Sequence, residues 1–231
     1  MGAQWKQKGR VENSAKRGQL ISKMVKEIII ATKAGDPDPA NNAKLRAAVE
    51  SARKQSVPRE NIERAIKKGA GLLEPVNYEL VTFEGFSPHK VPCIVECLTE
   101  NRNRTSGDMR LLFRKGSLGA AGSVHFLFNH VGMIVATHPN AALDPEEAAI
   151  EAGAQEVEKT DDGVQFICEK ADLIGVTKAL ADKGWQVTTS EFAYIAKDPA
   201  ELAGDARKDV EAFLSELDDN DDVHRIFTAM K

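Results

Sequence analysis

The hydrophobic periodicity of the chain changes near Pro75, and this change constrains the fold more than any other feature. Before Pro75, apolar residues recur every three or four positions, which is the spacing of amphipathic helices. After Pro75, short runs rich in β-branched and aromatic residues are typical of strands. The sequence therefore predicts a helical region followed by α+β structure.

Three helices are predicted before Pro75. The first covers 13–33 and ends at the Gly-Asp-Pro-Asp-Pro segment 35–39, which cannot continue a helix. The second fits 42–55. The third fits 58–68, with a proline in its first turn and a glycine after its end.

The next segment predicts two strands, a helix and a third strand. The strands fit 78–86 and 93–99, and the helix fits 103–115. A glycine-rich turn at 116–122 then leads to a strand at 124–128. This part of the chain therefore has the order β-β-α-β.

Residues 133–197 follow the order β-α-β-β-α-β, which is that of the ferredoxin-like fold. A last helix at 205–217 and a strand at 223–227 can complete the earlier α+β unit. The predicted fold is therefore α+β, with an N-terminal three-helix basic domain followed by two α+β (ferredoxin-like) domains, the second inserted in the first. The predicted domains are 1–75, 76–132 plus 198–231, and 133–197.

Charge is segregated along the chain. Residues 1–75 hold 16 Lys and Arg against 8 Asp and Glu, a net charge of +8, whereas 76–231 hold 15 against 27, a net charge of −12. The overall charge of −4 would by itself argue against a strongly basic nucleic-acid binder. The basic N-terminal region instead indicates a surface that could neutralise phosphates and release counterions.

The alternative is a solvated helical surface, with pairs such as Glu60 to Arg64 and Glu63 to Lys67 within the third helix. We favour the binding interpretation because the basic excess is confined to the first 75 residues and because the basic residues before Ala15 have no acidic neighbour but Glu12. The first helix also carries a lysine stripe along its flank, formed by Lys16, Lys23, Lys26 and Lys33. Replacing Lys16, Lys23 and Lys26 by Glu is then expected to abolish nucleic-acid binding and to leave the melting temperature nearly unchanged. The candidate contacts in this region are Lys6, Lys8, Arg10, Lys16, Arg17, Lys23, Lys26, Lys33, Arg53, Lys54, Arg59, Arg64, Lys67 and Lys68.

A second candidate site lies where a predicted strand ends and a predicted helix begins, at 99–105. Arg102 and Arg104 there are candidate contacts for a phosphate or a carboxylate, because helix N-termini present unpaired N–H groups and the positive end of the helix dipole. The alternative is that Asn103 caps the helix and the two arginines only add solubility.

No set of residues predicts catalysis, a metal or a cofactor. The five histidines lack metal-ligand spacing, and the glycines of 116–122 lack the order of a dinucleotide- or nucleotide-binding loop. The acidic run 218–222 resembles half of a calcium loop, but Val223 and Ala229 stand where Gly and Glu are required. We expect a solvated acidic turn there.

The sequence also indicates where in the cell the protein is found. No apolar stretch approaches the ~18 residues needed to cross a bilayer, and no signal peptide is visible. Cys93, Cys97 and Cys168 stand in apolar surroundings, as small buried hydrophobes do. We therefore expect a cytoplasmic protein without membrane contact, and a monomer.

Several motifs in order resemble the YebC/PmpR family, whose members are described as probable transcriptional regulators and, in mitochondria, as translational activators of cytochrome c oxidase. The resemblance covers nearly the whole chain and implies a three-domain fold, one helical and two α+β, without enzymatic activity or cofactor. The opening 2–10 and the pair Gly116-Ser117 depart from the family pattern. The matching motifs are Trp5-Lys6, Ser14-Ala15-Lys16-Arg17-Gly18, Gly35-Asp36-Pro37-Asp38-Pro39, the segments 58–69 and 96–105, and Leu118-Gly119-Ala120-Ala121-Gly122-Ser123-Val124.

The sequence and the resemblance together favour a non-enzymatic nucleic-acid-binding regulator of gene expression. Ribosomal RNA or the ribosome is favoured as the partner, because no helix-turn-helix spacing is visible and most of the chain is acidic. A promoter-DNA-binding transcriptional regulator is the alternative. A lower alternative is a protein-only adaptor, whose acidic α+β domains, including 218–222, would dock a basic partner.

Overall fold

The structure is a computed structural model that describes residues 14–74, 76–140, 143–160 and 163–231. The helical region comprises three helices that pack around buried aliphatic residues such as Ile28, Leu45 and Ile62. The Asn42 side chain caps the second helix by accepting a hydrogen bond from the Leu45 amide at 3.1 Å. The three predicted helices are confirmed: α1 (Ser14–Lys33), α2 (Ala43–Lys54) and α3 (Arg59–Gly69).

The first sheet is antiparallel, with the strand order β3-β1-β2-β8. Two helices, α4 and α7, contribute to its core, and the rings of Phe113 and Phe213 meet edge to face with centroids 5.3 Å apart. The elements are β1 (Glu79–Phe86), β2 (Pro92–Thr99), α4 (Arg102–Leu112), β3 (Ser117–Leu118), α7 (Gly204–Asp218) and β8 (Val223–Thr228).

The third strand predicted at 124–128 is wrong. The short β3 lies earlier, and residues 125–127 form a 3-10 turn. The physical reason is the buried carboxylate of Glu84, which accepts hydrogen bonds from the backbone N–H groups of Gly122, Val124 and His125 at 2.7, 3.0 and 2.9 Å. These donors are therefore not available to a neighbouring strand.

The second sheet is also antiparallel, with the order β5-β6-β4-β7. If β4 to β7 are renumbered 1 to 4, the order read from the β7 edge is 4-1-3-2, which is that of the ferredoxin-like fold. The β-α-β-β-α-β sequence predicts this fold. Buried Ile134, Phe166, Leu180 and Trp185 lie in its core. The elements are β4 (Phe128–Thr137), α5 (Pro145–Ala152), β5 (Glu156–Thr160), β6 (Gly163–Cys168), α6 (Leu173–Asp182) and β7 (Gln186–Ala196).

The chain forms two compact units. Phe128–Ala196 is one, and the other contains the described residues up to Leu127 together with Lys197–Lys231. The α+β class is therefore confirmed, with the second sheet inserted between β3 and α7. A separate domain boundary near residue 75 stays a prediction.

The three cysteines are buried, and burial raises the pKa of Cys93 and of Cys97 to about 12 and raises the pKa of Cys168. We expect the native protein to react very slowly with a thiol reagent such as Ellman's reagent, because the reactive thiolate form is disfavoured. Full labelling should require denaturant. Rapid labelling of a native thiol would contradict this expectation.

Candidate nucleic-acid interface

Part of the lysine stripe of α1 is buried against the rest of the chain. Lys26 is buried, and its three ammonium donors are satisfied within the chain. The Nζ atom lies 2.8 Å from Oδ1 of Asp222, 2.8 Å from the carbonyl oxygen of Asp221 and 3.3 Å from that of Leu98. It also lies 5.6 Å from the ring centroid of Tyr78. This environment argues against Lys26 as a phosphate contact.

Two further lysines of the stripe also bind the chain itself. Lys23 donates to the carbonyl oxygen of Asp218 and lies 3.1 Å from its Oδ1. Lys33 donates to the carbonyl oxygen of Val76 and to Oδ1 of Asn77, the latter at 3.2 Å. These contacts hold α1 against the first α+β region. They argue against Lys23 and Lys26 as phosphate contacts, because both pair with carboxylates. Lys33 is exposed and has no carboxylate partner among the described residues, so its phosphate contact stays a prediction.

The expectation that reversing Lys16, Lys23 and Lys26 leaves the melting temperature nearly unchanged is also corrected. A glutamate in place of Lys26 would lie beside the buried carboxylate of Asp222, so the variant would lose stability as well as charge. A loss of binding in that variant would therefore not identify a binding surface.

The acidic run 218–222 is not the solvated turn that the sequence predicts. The Asp222 carboxylate is buried and also accepts hydrogen bonds from Nη2 of Arg104 and from the Thr105 hydroxyl, each at 2.8 Å. Burial alone would raise the pKa of Asp222. The hydrogen bonds from Lys26, Arg104 and Thr105 outweigh burial and hold that pKa below its usual value.

The start of α4 is set by Asn101, not by the predicted cap Asn103. The Asn101 side-chain oxygen accepts from the Arg104 amide at 3.1 Å. Arg104 is half exposed although it binds Asp222. Arg102 is exposed and forms no ion pair within the described part of the chain. The structure thus brings the two predicted constellations, α1 and the start of α4, together around one carboxylate.

The predicted basic residues of α2 and α3 have a different environment. Arg59 pairs with Glu63 at 2.7 Å, in place of the predicted pairs of Glu60 with Arg64 and Glu63 with Lys67. Its hydrogen bond lowers the pKa of Glu63. The remaining cations form no salt bridge with any residue that the structure describes. This group, the α2–α3 basic surface, comprises exposed Arg53, Lys54, Arg64 and Lys67 and half-buried Lys68.

Some predicted contacts cannot be placed. Lys6, Lys8 and Arg10 lie outside the described residues, as does the side chain of Lys16. Arg17 is described and exposed near the start of α1. Two exposed arginines were not among the predicted contacts, although their i,i+4 spacing in the predicted helix 103–115 places them together: Arg110 on α4, and Arg114 in the 3-10 helix Phe113–Lys115 that follows it.

The glycine-rich turn does not offer its N–H groups to a phosphate. Burial would raise the pKa of Glu84, but the amides of Gly122, Val124 and His125 outweigh burial and lower that pKa. A carboxylate of the chain itself therefore occupies this anion-binding turn. Within the described ranges, no group of three or more His, Cys, Asp or Glu could hold a metal ion, and no helix could cross a membrane.

Two family models together match nearly the whole chain. The TACO1/YebC protein N-terminal domain matches residues 2–72, and the TACO1/YebC second and third domain matches 78–230. A "Probable transcriptional regulatory protein" of Pseudomonas fluorescens is 51% identical over 100% of this chain and 99% of its own. One of Bdellovibrio bacteriovorus is 48% identical over 98% of each chain.

A solved structure is also similar. The crystal structure of a conserved hypothetical protein from Aquifex aeolicus has a TM-score of 0.79 and 35% identity, covering 97% of this chain and 94% of that one. The similarity in sequence and in fold thus extends along nearly the full length of the chain. The chain belongs to the TACO1/YebC family.

Proposed function

We propose that the protein is a regulator of gene expression that binds nucleic acid through the α2–α3 basic surface and acts in the cytoplasm on RNA or the ribosome during translation. The observation that supports this proposal is the contrast between two sets of cations. Lys23 and Lys26 pair with carboxylates of the chain, whereas the cations of the α2–α3 basic surface form no salt bridge with a described residue. The proposal includes no catalytic step, cofactor or metal.

The geometry of α3 supports a phosphate contact. At about 100° per residue, Arg64, Lys67 and Lys68 fall within an arc of roughly 100° that also contains Glu60 and is centred opposite buried Ile62. Cations aligned on one helix face can neutralise successive phosphates and release their counterions. Such binding is tolerant of sequence and sensitive to salt.

RNA is the favoured target because the larger part of the chain carries a net charge of −12, which disfavours wrapping a DNA duplex. A DNA target is the second candidate, and the names of the relatives favour it, since they are described as probable transcriptional regulatory proteins. The adaptor hypothesis loses part of its support, because Asp218 and Asp222 bind α1 and α4 within the chain.

The proposal predicts salt-dependent binding that depends on α3. With roughly five phosphates neutralised, log affinity for single-stranded RNA should fall against log salt with a slope of about −3.5. Arg64→Glu with Lys67→Glu should weaken binding about tenfold or more and make the slope shallower by about 1.4. Fluorescence anisotropy with labelled RNA, and with DNA of the same sequence, measures both.

A matched control is available in the other compact unit. Lys159→Glu with Lys178→Glu makes the same change in net charge at two exposed positions. If the α3 variant and this control bind equally well, the α2–α3 basic surface is not the binding surface. Tighter binding of duplex promoter DNA than of RNA would favour the second candidate.

Sedimentation of a cell lysate separates the two targets in a cellular setting. We expect the protein to migrate with ribosomes or their subunits on a sucrose gradient at near-physiological salt, and to leave them after a salt wash or ribonuclease treatment. Migration only in the light fractions would contradict a role at the ribosome.

A further inference from the structure

Helix α4 carries a second set of exposed cations, all of them arginines. We infer that its outer face is a further binding surface for a nucleic-acid phosphate backbone, separate from α2 and α3, an inference that rests on the proposed function. This α4 arginine surface comprises Arg104 in the first turn, Arg110 near the end of α4, and Arg114 in the 3-10 helix Phe113–Lys115 that follows it.

The helix geometry separates this surface from the core. Buried Met109 and Thr105 mark the inner face of α4. At about 100° per residue, Arg104, Arg110 and Arg114 fall within an arc of roughly 120° on the other side. The distance from residue 104 to residue 114 along the axis is about 15 Å, enough to contact successive phosphates.

Of the arginines on this surface, only Arg104 pairs with a described carboxylate, that of Asp222. Arg110 and Arg114 form no salt bridge with a described residue, and the neighbouring Lys115 is excluded from the surface because it pairs with Glu216. The acidic residue on this helix is Asp108, which is half-buried. The α4 arginine surface therefore keeps a net positive charge.

Arg104 is positioned before any ligand arrives. One of its nitrogens is bound to the buried carboxylate of Asp222, while the side chain stays 50% exposed. A guanidinium has five N–H donors in a planar fork, so donors remain for a second anion. A side chain that is already fixed loses less conformational entropy when it binds, which favours a bidentate contact with phosphate.

The centre of the surface is open. Gly107 lies in the middle of α4, and no described neighbour lies within 4 Å of the position that a Cβ atom would occupy. Packing within the chain therefore does not require glycine there, although glycine weakens a helix interior. Leu111 is 57% exposed beside it and offers apolar contact to a sugar or base. An open strip flanked by arginines fits an extended phosphate backbone.

The test compares variants of the full chain, each with the same change in net charge. Arg110→Glu with Arg114→Glu should weaken binding of labelled single-stranded RNA about tenfold and make the salt slope shallower by about 1.4. Lys159→Glu with Lys178→Glu should leave both unchanged. Arg110→Lys with Arg114→Lys keeps the charge but removes the planar fork, so it should cause a smaller loss. Circular dichroism melting verifies that each variant is folded.

The outcomes separate this inference from the proposed function. If the wild-type protein binds neither RNA nor DNA, both are wrong. If Arg64→Glu with Lys67→Glu weakens binding but the α4 reversal matches its control, the inference alone is wrong. If only the α4 reversal weakens binding, the inference stands and the α2–α3 basic surface is rejected. If the α4 reversal affects binding of polyglutamate but not of nucleic acid, the surface is assigned to an acidic protein, and the inference is overturned.

Discussion

Replacing Asp222 by alanine is expected to lower the free energy of unfolding by about 3 kcal/mol, because a buried ammonium loses its counter-charge. The Asp222 side chain is 4% exposed and that of Lys26 is 11% exposed, so water cannot readily replace the carboxylate. The hydrogen bonds from Arg104 and Thr105 to Asp222 are lost as well. Urea unfolding of the full chain, followed by circular dichroism, measures the change.

The control is the neighbouring carboxylate. The side chain of Asp221 is exposed, and only its backbone oxygen contacts Lys26, so Asp221→Ala removes one negative charge without breaking the buried pair. We expect this variant to stay close to the wild type in stability. Equal stability of the two alanine variants would show that the buried pair contributes nothing.

The same pair predicts how stability depends on pH. The pKa of Asp222 in the folded state is below the ordinary aspartate value of about 3.9, so the folded state favours the charged carboxylate. The contribution is fully present above the unfolded-state pKa and is lost as the pH falls through the folded-state pKa. Below about pH 5, Asp222→Ala should therefore lose less stability on acidification than the wild type. Parallel curves for the two proteins would contradict this assignment.

Local patterns were sufficient to predict most elements. Hydrophobic spacing predicts a helix at 13–33, and α1 covers Ser14–Lys33. It also predicts the β-α-β-β-α-β order of the inserted unit, whose register depends on alternating apolar residues. These elements are predictable because their signals lie within a short window of sequence.

The partners of charged side chains could not be predicted in the same way. Lys26 and Asp222 are 196 positions apart, and no local pattern indicates that they meet. A lysine stripe beside an apolar helix face looks the same whether it binds phosphate or an acidic turn of its own chain. The segregation of charge, +8 in one part and −12 in the other, was the available signal, and it is as compatible with internal pairing as with a ligand.

The contact between Glu84 and the loop that it holds could not be predicted from a local pattern either. Glu84→Gln is expected to lower the free energy of unfolding by about 2 kcal/mol, because the amide nitrogen of glutamine would face backbone N–H groups that need an acceptor. Glu84 is 7% exposed, and its two oxygens accept three such bonds. Glu79→Gln, at an exposed position of the same strand, is the matched control.

Limited proteolysis tests where the stability is lost. Phe126, immediately after the held loop, is 65% exposed, so cleavage by chymotrypsin there is limited by the rigidity of the backbone and not by access to the side chain. Glu84→Gln should be cleaved faster at Phe126 than the wild type or Glu79→Gln. If cleavage stays unchanged while global stability falls, the carboxylate stabilises the sheet and not the loop. If neither quantity changes, the three hydrogen bonds do not hold the turn, and its N–H groups become candidates for an external anion.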